Sequence, residues 1–364
     1  MKRRKTYLVK IGSVQIGGSA PVMIQSMTNT KTSDAAATLK QIAHLQEAGC
    51  EVVRVAVPDP ESAEALKYIT KESPLPVIAD IHFDVKLAHM AIERGAAKIR
   101  INPGNIGSPD TLIELAQKAK KYKIPIRIGV NAGSLERSLT EKYGGATPEA
   151  LAESAFRYYE LLEKTGYSET VVSLKASDVS TTISANRLFA EKCSAPLHLG
   201  ITEAGTPDVG VIKSAIGIGT LLAEGIGDTI RVSLTASPIE EIKVARQILQ
   251  ALGIRVFGPE LISCPTCGRC ATDLVLLAEK VEVLLKNYTV PIRVAVMGCA
   301  VNGPGEAREA DIGISAGKKK GILFRNGNVI RTVSQDKLLP ALKEEIDAFV
   351  KAKDESGSFK EGNY

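Results

Sequence analysis

The feature that most constrains this chain is an alternation of short apolar runs with longer amphipathic segments from residue 22 to residue 234. Short continuous runs rich in Val and Ile are typical of strands buried on both faces, and eight strands with intervening helices are the count of a (β/α)8 barrel. The strand candidates are 22–24, 52–57, 77–79, 98–101, 126–130, 171–174, 197–201 and 229–234. The helix candidates are 32–48, 62–71, 85–94, 108–122, 148–165 and 182–193. The pattern predicts an α/β fold with an N-terminal TIM barrel.

The alternation of strand and helix patterns stops near residue 256, close to a Gly-Pro pair that is typical of a linker. The sequence therefore predicts two domains, a barrel over residues 1–256 and a smaller α+β domain over residues 257–364. A hairpin is predicted ahead of the barrel, at residues 7–18, by alternating apolar residues. The elements predicted in the second domain are a helix at 272–286, a strand at 292–297, a hairpin at 321–330 with an Asn-Gly turn, and a helix at 338–351.

Composition narrows the class of protein. The net charge of +5 and the 4% aromatic content argue against a nucleic-acid binder, which needs concentrated basic surface and stacking side chains. No apolar run has the length of a signal peptide or a membrane span, so we expect a cytoplasmic protein without membrane contact. In that compartment thiols stay reduced, and clustered cysteines indicate metal or redox chemistry.

Polar side chains stand at the ends of the predicted barrel strands, where barrel enzymes carry their active sites. Five are cations with mostly apolar neighbours in the sequence: Arg54, Arg100, Arg127, Lys175 and Arg231. The others are Asp80, His82, Asn102, Asn131, Thr202, Glu203 and Ser233.

Five cations at one barrel mouth require anions, because a buried unpaired guanidinium is costly. Asp80 and Glu203 are too few, which favours a doubly charged ligand such as a diphosphate. The alternative is that each cation pairs with an acid from a neighbouring strand. Glu203 is either an acid/base group or a salt-bridge partner, and His82 is either a substrate contact or a hydrogen-bonded structural imidazole.

Four of the six cysteines lie between residues 264 and 299. Cys264, Cys267 and Cys270 form one run, and Cys299 follows in a Gly/Pro-rich loop. A structural zinc site commonly uses two close pairs of ligands, and Cys299 has no partner nearby, although Cys270 could be a fourth ligand. An iron-sulfur cluster held by three cysteines leaves one iron either open or bound by a weaker ligand. Glu306 could be that ligand, or it could be an ordinary loop carboxylate. Both readings stand on spacing alone.

The sequence resembles the bacterial 4-hydroxy-3-methylbut-2-enyl diphosphate synthases, iron-sulfur enzymes of the methylerythritol phosphate route to isoprenoids. The resemblance runs through both predicted domains in order. The matching stretches are 21–28 (PVMIQSMT), 79–83 (ADIHF), 100–105 (RINPGN), 129–135 (GVNAGSL), 199–205 (LGITEAG), 262–267 (ISCPTC) and 297–306 (MGCAVNGPGE).

The resemblance implies an oxidoreductase that opens the ring of 2-C-methyl-D-erythritol 2,4-cyclodiphosphate and removes water, giving 4-hydroxy-3-methylbut-2-enyl diphosphate. Flavodoxin or ferredoxin would supply two electrons through a [4Fe-4S] cluster. The implied cluster ligands are Cys264, Cys267, Cys299 and Glu306, with Glu306 giving way to the substrate and Cys270 left as a free thiol. Glu203 would be the acid/base group. The implied diphosphate contacts are Arg54, Arg100, Arg127, Lys175 and Arg231 with Asn102, Asn131 and Ser233, and we add Asp80 and His82 as substrate-binding candidates.

The resemblance also implies a head-to-tail homodimer, in which the cluster domain of one subunit caps the barrel of the other.

Two other classes of protein compete with the interpretation as an iron-sulfur synthase. A pteroate-synthase-like barrel transferase with a structural zinc ribbon would be colourless and would contain zinc. A nucleic-acid-binding zinc module is disfavoured by the low aromatic content and small net charge.

Overall fold

The computed structural model describes residues 2–82, 84–105, 108–270, 272–299 and 308–355. It divides into two compact units, Met1–Arg255 and Val256–Tyr364, and each is treated below by itself. Within the described residues, no helix combines the length and the apolar content needed to cross a bilayer.

The first unit is a TIM barrel, which confirms the predicted fold class. Its strands are β3 (Met23–Met27), β4 (Val52–Ala56), β5 (Val77–Ile81), β6 (Lys98–Ile101), β7 (Ile126–Asn131), β8 (Thr170–Lys175), β9 (His198–Leu199) and β10 (Thr229–Ile230). Its helices are α1 (Ala35–Glu47), α2 (Pro60–Glu72), α3 (Val85–Glu93), α4 (Pro109–Tyr122), α5 (Arg137–Tyr143), α6 (Pro148–Lys164), α7 (Val179–Lys192), α8 (Pro207–Ala223) and α9 (Pro238–Ala251). Short 3-10 turns follow β6 and β7, at Pro103–Asn105 and Ala132–Ser134.

The parallel sheet is nearly closed. Its strand order is β8-β7-β6-β5-β4-β3-β10-β9, and a parallel bridge between Val172 of β8 and Leu197, just before β9, joins its two ends. The strands β9 and β10 are shorter than the predicted runs 197–201 and 229–234. The chain leaves the sheet soon after each of these strands. The Thr202 amide donates to the Ala176 carbonyl, and the Thr235 amide donates to the Gly205 carbonyl.

The N-terminal hairpin closes the barrel at the amino ends of the strands. It pairs β1 (Val9–Ile11) with β2 (Val14–Ile16), as predicted, around Gly12, which has a positive φ of 57°. Its apolar side chains pack with the inward-facing residues Met23, Val52, Ile78 and Val171 in one buried cluster. The hairpin therefore covers the amino-terminal end of the barrel with apolar side chains.

Among its described residues, the second unit contains a five-stranded sheet and the helices α10 (Leu274–Leu285) and α11 (Leu338–Glu355). The strand order is β11 (Glu260–Ser263), β12 (Arg293–Met297), β13 (Ile312–Ser315), β14 (Lys320–Arg325) and β15 (Asn328–Ser334). The first three strands are parallel and the last two antiparallel, joined by a turn at Asn326 and Gly327 with positive φ at both. The predicted helices, strand and hairpin are present, whereas β11 and β13 were not predicted.

Candidate active site

Strand alternation brings the polar side chains into the barrel interior. Val52 and Ile78 face inward against the hairpin, so Arg54 and Asp80, two residues further along, face the same way. Parallel register then places Arg100 of β6 beside Asp80, and Arg127 of β7 beside Arg100. Arg54 and Asp80 each follow a residue of the apolar cluster under the hairpin by one inward-facing position, toward the carboxyl ends of their strands.

Asp80 is the central carboxylate of this group and is 2% exposed. Its Oδ1 accepts a hydrogen bond from Nη1 of Arg100 at 3.0 Å, and its Oδ2 lies 3.6 Å from Nε of Arg54 and 3.7 Å from Nε2 of His82. Burial works against ionisation, but Arg54 and then Arg100 outweigh it, so the pKa of Asp80 lies below its usual value. Asp80 is a charged anchor for two arginines.

A second buried carboxylate, Glu241 of α9, overturns the expectation that Asp80 and Glu203 are the acids available to the cations. Its two oxygens lie 3.4 Å from Nε and from Nη2 of Arg231. The same carboxylate accepts hydrogen bonds from the Ser26 hydroxyl at 3.2 Å and the Leu234 amide at 3.1 Å. Arg231 is thereby held in place from a helix rather than from a strand.

Arg127 and Lys175 have no carboxylate partner in the part of the chain that the structure describes. Arg127 donates from Nη1 to Oε1 of Gln25 at 3.2 Å, and its Nε has no partner. Burial is the largest cause that lowers the pKa of each group well below its usual value, and neighbouring cations add to it: Arg54 and Arg100 for Arg127, and Arg127 and Arg54 for Lys175. This pair is the part of the cluster that still requires an anion.

Arg54 lies near both acid-paired groups, the one around Asp80 and the one around Arg231. Burial lowers its pKa to about 10 although Asp80 opposes the effect, and Arg231 and Arg100 add repulsion. Its Nε also lies 3.1 Å from the sulfur of Met27, which in turn lies 3.8 Å from Nη1 of Arg231. All five predicted cations are thus brought together in one region.

Two glycines make room for these long side chains. A Cβ on Gly129 would lie 2.5 Å from Nε of Arg100, whose Nη2 donates to the Gly129 carbonyl at 3.4 Å. A Cβ on Gly200 would lie 2.6 Å from Nζ of Lys175. The cations therefore extend across neighbouring strands at positions where those strands lack side chains.

The predicted amide residues flank the cluster. Asn131 lies beside Lys175 in register and, with its amide oriented to satisfy both groups, accepts from Nη2 of Arg100 at 3.1 Å and donates to the Val130 carbonyl at 3.3 Å. Asn102 donates to the Ser134 hydroxyl at 2.6 Å and accepts from the Gly104 amide at 3.2 Å. Both are fixed by hydrogen bonds before any ligand binds.

Glu203 and Ser233 stand apart from this network. Glu203 is exposed and has a φ of 52°, a left-handed conformation that is uncommon for a residue with a side chain. Ser233 is half-buried and follows Arg231 by two residues. Within the described ranges, no hydrogen bond or ion pair joins either one to the cations. His82, by contrast, lies against Asp80 at the edge of the cluster.

The cysteines of the second unit gather around the carboxyl ends of β11 and β12, which are parallel neighbours. Cys264 follows β11, and its sulfur accepts the Gly298 amide at 3.3 Å. The sulfur of Cys270 also lies close to Gly298, because a Cβ added to that glycine would lie 2.6 Å from it. Cys299 directly follows Gly298, and its carbonyl accepts a hydrogen bond from the Ser315 hydroxyl at 2.7 Å.

Cys267 is exposed on the turn between Cys264 and Cys270. A hydrogen bond from the backbone of Arg269, and then from its side chain, lowers the pKa of this thiol below its usual value. Thiols that ionise readily fit the donor set of an iron-sulfur cluster. Among the described residues, no three His, Cys, Asp or Glu side chains are arranged to enclose a metal ion. The predicted ligand Glu306 lies outside the described residues.

Sequence reasoning missed several residues of the barrel interior. Lys98 and His198 are fully buried, and Gln25 and Glu241 nearly so. Lys98 could have been found, because it stands two residues before Arg100 in the same predicted strand and must face the same side. Glu241 carried no comparable signal, because it lies on a helix that was not predicted.

Two family descriptions match the chain: the GcpE TIM-barrel domain over residues 6–246 and the GcpE protein C-terminal domain over residues 260–348. Three similar relatives all carry the name 4-hydroxy-3-methylbut-2-en-1-yl diphosphate synthase (flavodoxin). The protein from Natranaerobius thermophilus is 55% identical over 96% of this chain and 98% of its own length. Those from Caldanaerobacter subterraneus subsp. tengcongensis and Lawsonia intracellularis are each 54% identical over 96% of this chain and 98% and 97% of their own lengths.

These matches confirm the resemblance seen in the sequence motifs. They give no support to the alternative of a pteroate-synthase-like transferase with a zinc ribbon, because the GcpE descriptions account for the barrel and for the cysteine-bearing unit alike. The chain belongs to the GcpE family.

Proposed function

We propose that this chain catalyses the reductive ring opening and dehydration of 2-C-methyl-D-erythritol 2,4-cyclodiphosphate to 4-hydroxy-3-methylbut-2-en-1-yl diphosphate. The observation that carries the proposal is the buried cation cluster, in which Arg127 and Lys175 have no carboxylate partner among the described residues. A diphosphate supplies the missing negative charge. The names of relatives more than half identical over nearly the whole chain support the same product, 4-hydroxy-3-methylbut-2-en-1-yl diphosphate.

The barrel residues bind and orient the diphosphate. Asp80 and Glu241 hold Arg54, Arg100 and Arg231 in fixed orientations, so little side-chain freedom is lost when the anion arrives. Guanidinium groups then offer forked hydrogen bonds to phosphate oxygens, and Lys175 adds a compact charge. In our proposal Asn102, Asn131, His82 and Ser233 complete the contacts.

Glu203 is the proposed acid/base residue. It stands in the loop after β9, at the carboxyl end of the barrel where TIM-barrel enzymes carry their catalytic groups. Its exposed carboxyl group is accessible to a ligand. We propose that it donates a proton to the departing hydroxyl, which leaves as water, and regains the proton from solvent.

The proposed cofactor is a [4Fe-4S] cluster. Cys264, Cys267 and Cys299 would hold it through their thiolates and Glu306 through a carboxylate oxygen, with Cys270 remaining a free thiol. Such a cluster supplies the two electrons one at a time when bound. The free thiols of the described cysteines agree with a reducing, cytoplasmic environment, and the names of the relatives support flavodoxin as the electron donor.

The barrel cations and the cysteines belong to two separate compact units. We propose that they meet across a head-to-tail homodimer, in which each active site takes its cluster from the partner chain. The test mixes Cys264→Ser chains with Glu203→Gln chains. Each variant alone should be inactive, and heterodimers should recover activity, because one site of each keeps both groups intact. No recovery in verified heterodimers would exclude the shared site.

The reaction itself is tested by anaerobic purification followed by turnover. The expected result is a brown protein with about four irons per chain that consumes the cyclodiphosphate in the presence of reduced flavodoxin. Cys50→Ser is the matched control, because Cys50 is a buried thiol of the barrel unit and is not among the proposed ligands. A colourless protein containing zinc, or an iron-loaded protein that leaves the cyclodiphosphate unchanged, would refute the proposal.

A further inference from the structure

Lys98 opens β6 and is a buried cation that the proposed reaction does not use. It is 0% exposed, and its Nζ has no hydrogen-bond partner within the described ranges. Lysines are almost never fully buried without a partner, because removal of the ammonium group from water is expensive. An amine in this position therefore requires an explanation.

Lys98 lies level with the apolar cluster under the N-terminal hairpin and one inward-facing position before the cation cluster. Its neighbour in register on β5 is Ile78, which packs on the N-terminal hairpin, and Arg100 is the next inward-facing residue on its own strand. Other unpartnered polar atoms belong to the same interior: Nε of Arg127, Nε2 of His198 and Nε2 of Gln25. A polar layer with unused hydrogen-bonding capacity thus underlies the proposed diphosphate site.

The charge around this layer is almost all positive. The charged groups that act on Lys98 are Arg127 on β7 and Arg54 on β4, and Lys98 in turn acts on the buried His198 of β9. The other charged groups of the barrel interior are Asp80, Arg100, Lys175, Arg231 and Glu241. Asp80 already pairs with Arg54 and Arg100, and Glu241 pairs with Arg231. No carboxylate in the described part of the barrel remains for Lys98.

Burial is the first cause that lowers the pKa of Lys98 well below its usual value, followed by repulsion from Arg127 and then Arg54. Burial and this repulsion both favour the uncharged amine while no anion is bound. An anion above Arg127 would offset that repulsion and favour the ammonium form.

We propose that Lys98 is a positioning residue of the anion site, which takes up a proton from solvent when a diphosphate binds above it and then adds its charge to the floor of the site. The amine acts through Arg127 and does not touch the ligand. This inference rests on the proposed function for the identity of the anion.

Titration calorimetry of the anaerobic holoenzyme tests the inference, with inorganic pyrophosphate as the probe at about pH 8. Comparison of two buffers with different ionisation enthalpies gives the number of protons taken up. Lys98→Met keeps the length of the side chain and removes the amine; Lys98→Gln is a second variant in case the first does not fold. Lys71→Met is the matched control, because Lys71 is an exposed lysine on the barrel helix α2.

We expect proton uptake in the wild type and in Lys71→Met to exceed that in Lys98→Met, by up to about one proton per bound anion. The affinity of Lys98→Met for pyrophosphate should fall roughly tenfold, equivalent to a difference of about one pKa unit. In turnover, KM for the cyclodiphosphate should rise while kcat changes little. The melting temperature of ligand-free Lys98→Met should not fall, because a buried unpaired amine has been replaced by an apolar chain.

Equal proton uptake and equal affinity in Lys98→Met and the wild type would overturn the inference and leave the proposed function intact. A wild type that binds neither pyrophosphate nor the cyclodiphosphate would overturn both. A loss of folding stability in Lys98→Met and Lys98→Gln, with normal KM and proton uptake, would reduce Lys98 to a structural residue and also refute the inference.

Discussion

Gly200 leaves open the space into which Lys175 extends, since a Cβ on Gly200 would lie 2.6 Å from Nζ of Lys175 and 2.5 Å from the carbonyl oxygen of Arg231. The lysine could swing aside, but the carbonyl is backbone and cannot. Gly200, which directly follows β9, therefore leaves the space that the Lys175 side chain of β8 occupies.

Gly200→Ala is expected to weaken anion binding and destabilise the barrel. Relief of the clash requires a shift of the backbone near Arg231, with a cost of about 1–3 kcal/mol, typical of overpacking. Thermal unfolding and pyrophosphate titration measure the two effects. Gly219→Ala is the control, because a Cβ there meets nothing within 4 Å and the residue lies within α8. Equal melting temperatures and affinities for the two variants would contradict the prediction.

Asp80→Asn is expected to destabilise the free enzyme by about 3–5 kcal/mol, because two buried arginines lose their shared counter-charge. The pKa of Asp80 is lowered in the folded state. Its ionised form therefore stabilises the fold above the unfolded pKa of about 4, and this contribution is lost as pH falls through the folded pKa.

Urea unfolding between about pH 6 and pH 8 should show a nearly constant gap in unfolding free energy between wild type and Asp80→Asn, since this range lies well above both pKa values. Glu64→Gln is the matched control, because it breaks an ion pair with Arg94 at the surface, where solvent screens the charges and little stability should be lost. A gap for Asp80→Asn no larger than that of the control would show that Asp80 does not anchor the arginines.

The sequence predicted those parts of the site that depend on strands. A cation between apolar residues in a short run must face the interior of a parallel barrel, which is why Arg54, Arg100 and Arg127 could be identified together. Helix α8 was missed because its apolar residues are not confined to one face: Val209 and Ile212 are exposed although other apolar residues of the helix are buried. Without amphipathic periodicity a helix gives little signal.

Long-range pairings could not be read from the sequence for a different reason. Glu241 lies in the first turns of α9, and Arg231 lies in the segment before that helix. Their contact depends on how α9 packs on the barrel. The left-handed backbone of Glu203 is likewise set by the path of the loop after β9, because the residue type does not favour it. Tertiary contacts, rather than local preference, determine both.

Glu241→Gln is expected to raise KM for the cyclodiphosphate with a smaller effect on kcat, because Arg231 loses the carboxylate that orients it. The loss in folding free energy should be about 1–3 kcal/mol, as for a buried charged hydrogen bond. Steady-state kinetics and urea unfolding measure the two quantities. The neighbouring variant Glu240→Gln, which removes an exposed pair with Lys243, should leave both near wild type. Parallel behaviour of the two variants would refute an orienting role for Glu241.

Glu203→Gln is expected to lower kcat by about 10²–10⁴ while leaving pyrophosphate affinity near wild type, because it removes a proton donor and no diphosphate contact. Rapid turnover assays and calorimetry separate the two effects. Glu224→Gln, which disrupts an exposed pair with Arg187 on the same unit, provides the comparison and should retain normal kcat. A normal kcat in Glu203→Gln would remove this residue from the proposed chemistry.

Cys270→Ser and Cys267→Ser distinguish a bystander thiol from a ligand. The Cys270 sulfur packs against Gly298 and bonds the Thr272 carbonyl at 3.2 Å, and its side chain borders the apolar core of the second unit. Its replacement should therefore cost some stability and leave about four irons per chain, whereas Cys267→Ser should lose iron and the brown colour. Iron analysis and visible absorbance after anaerobic reconstitution measure this. If Cys270→Ser lost its iron and Cys267→Ser kept it, Cys270 would replace Cys267 in the ligand set.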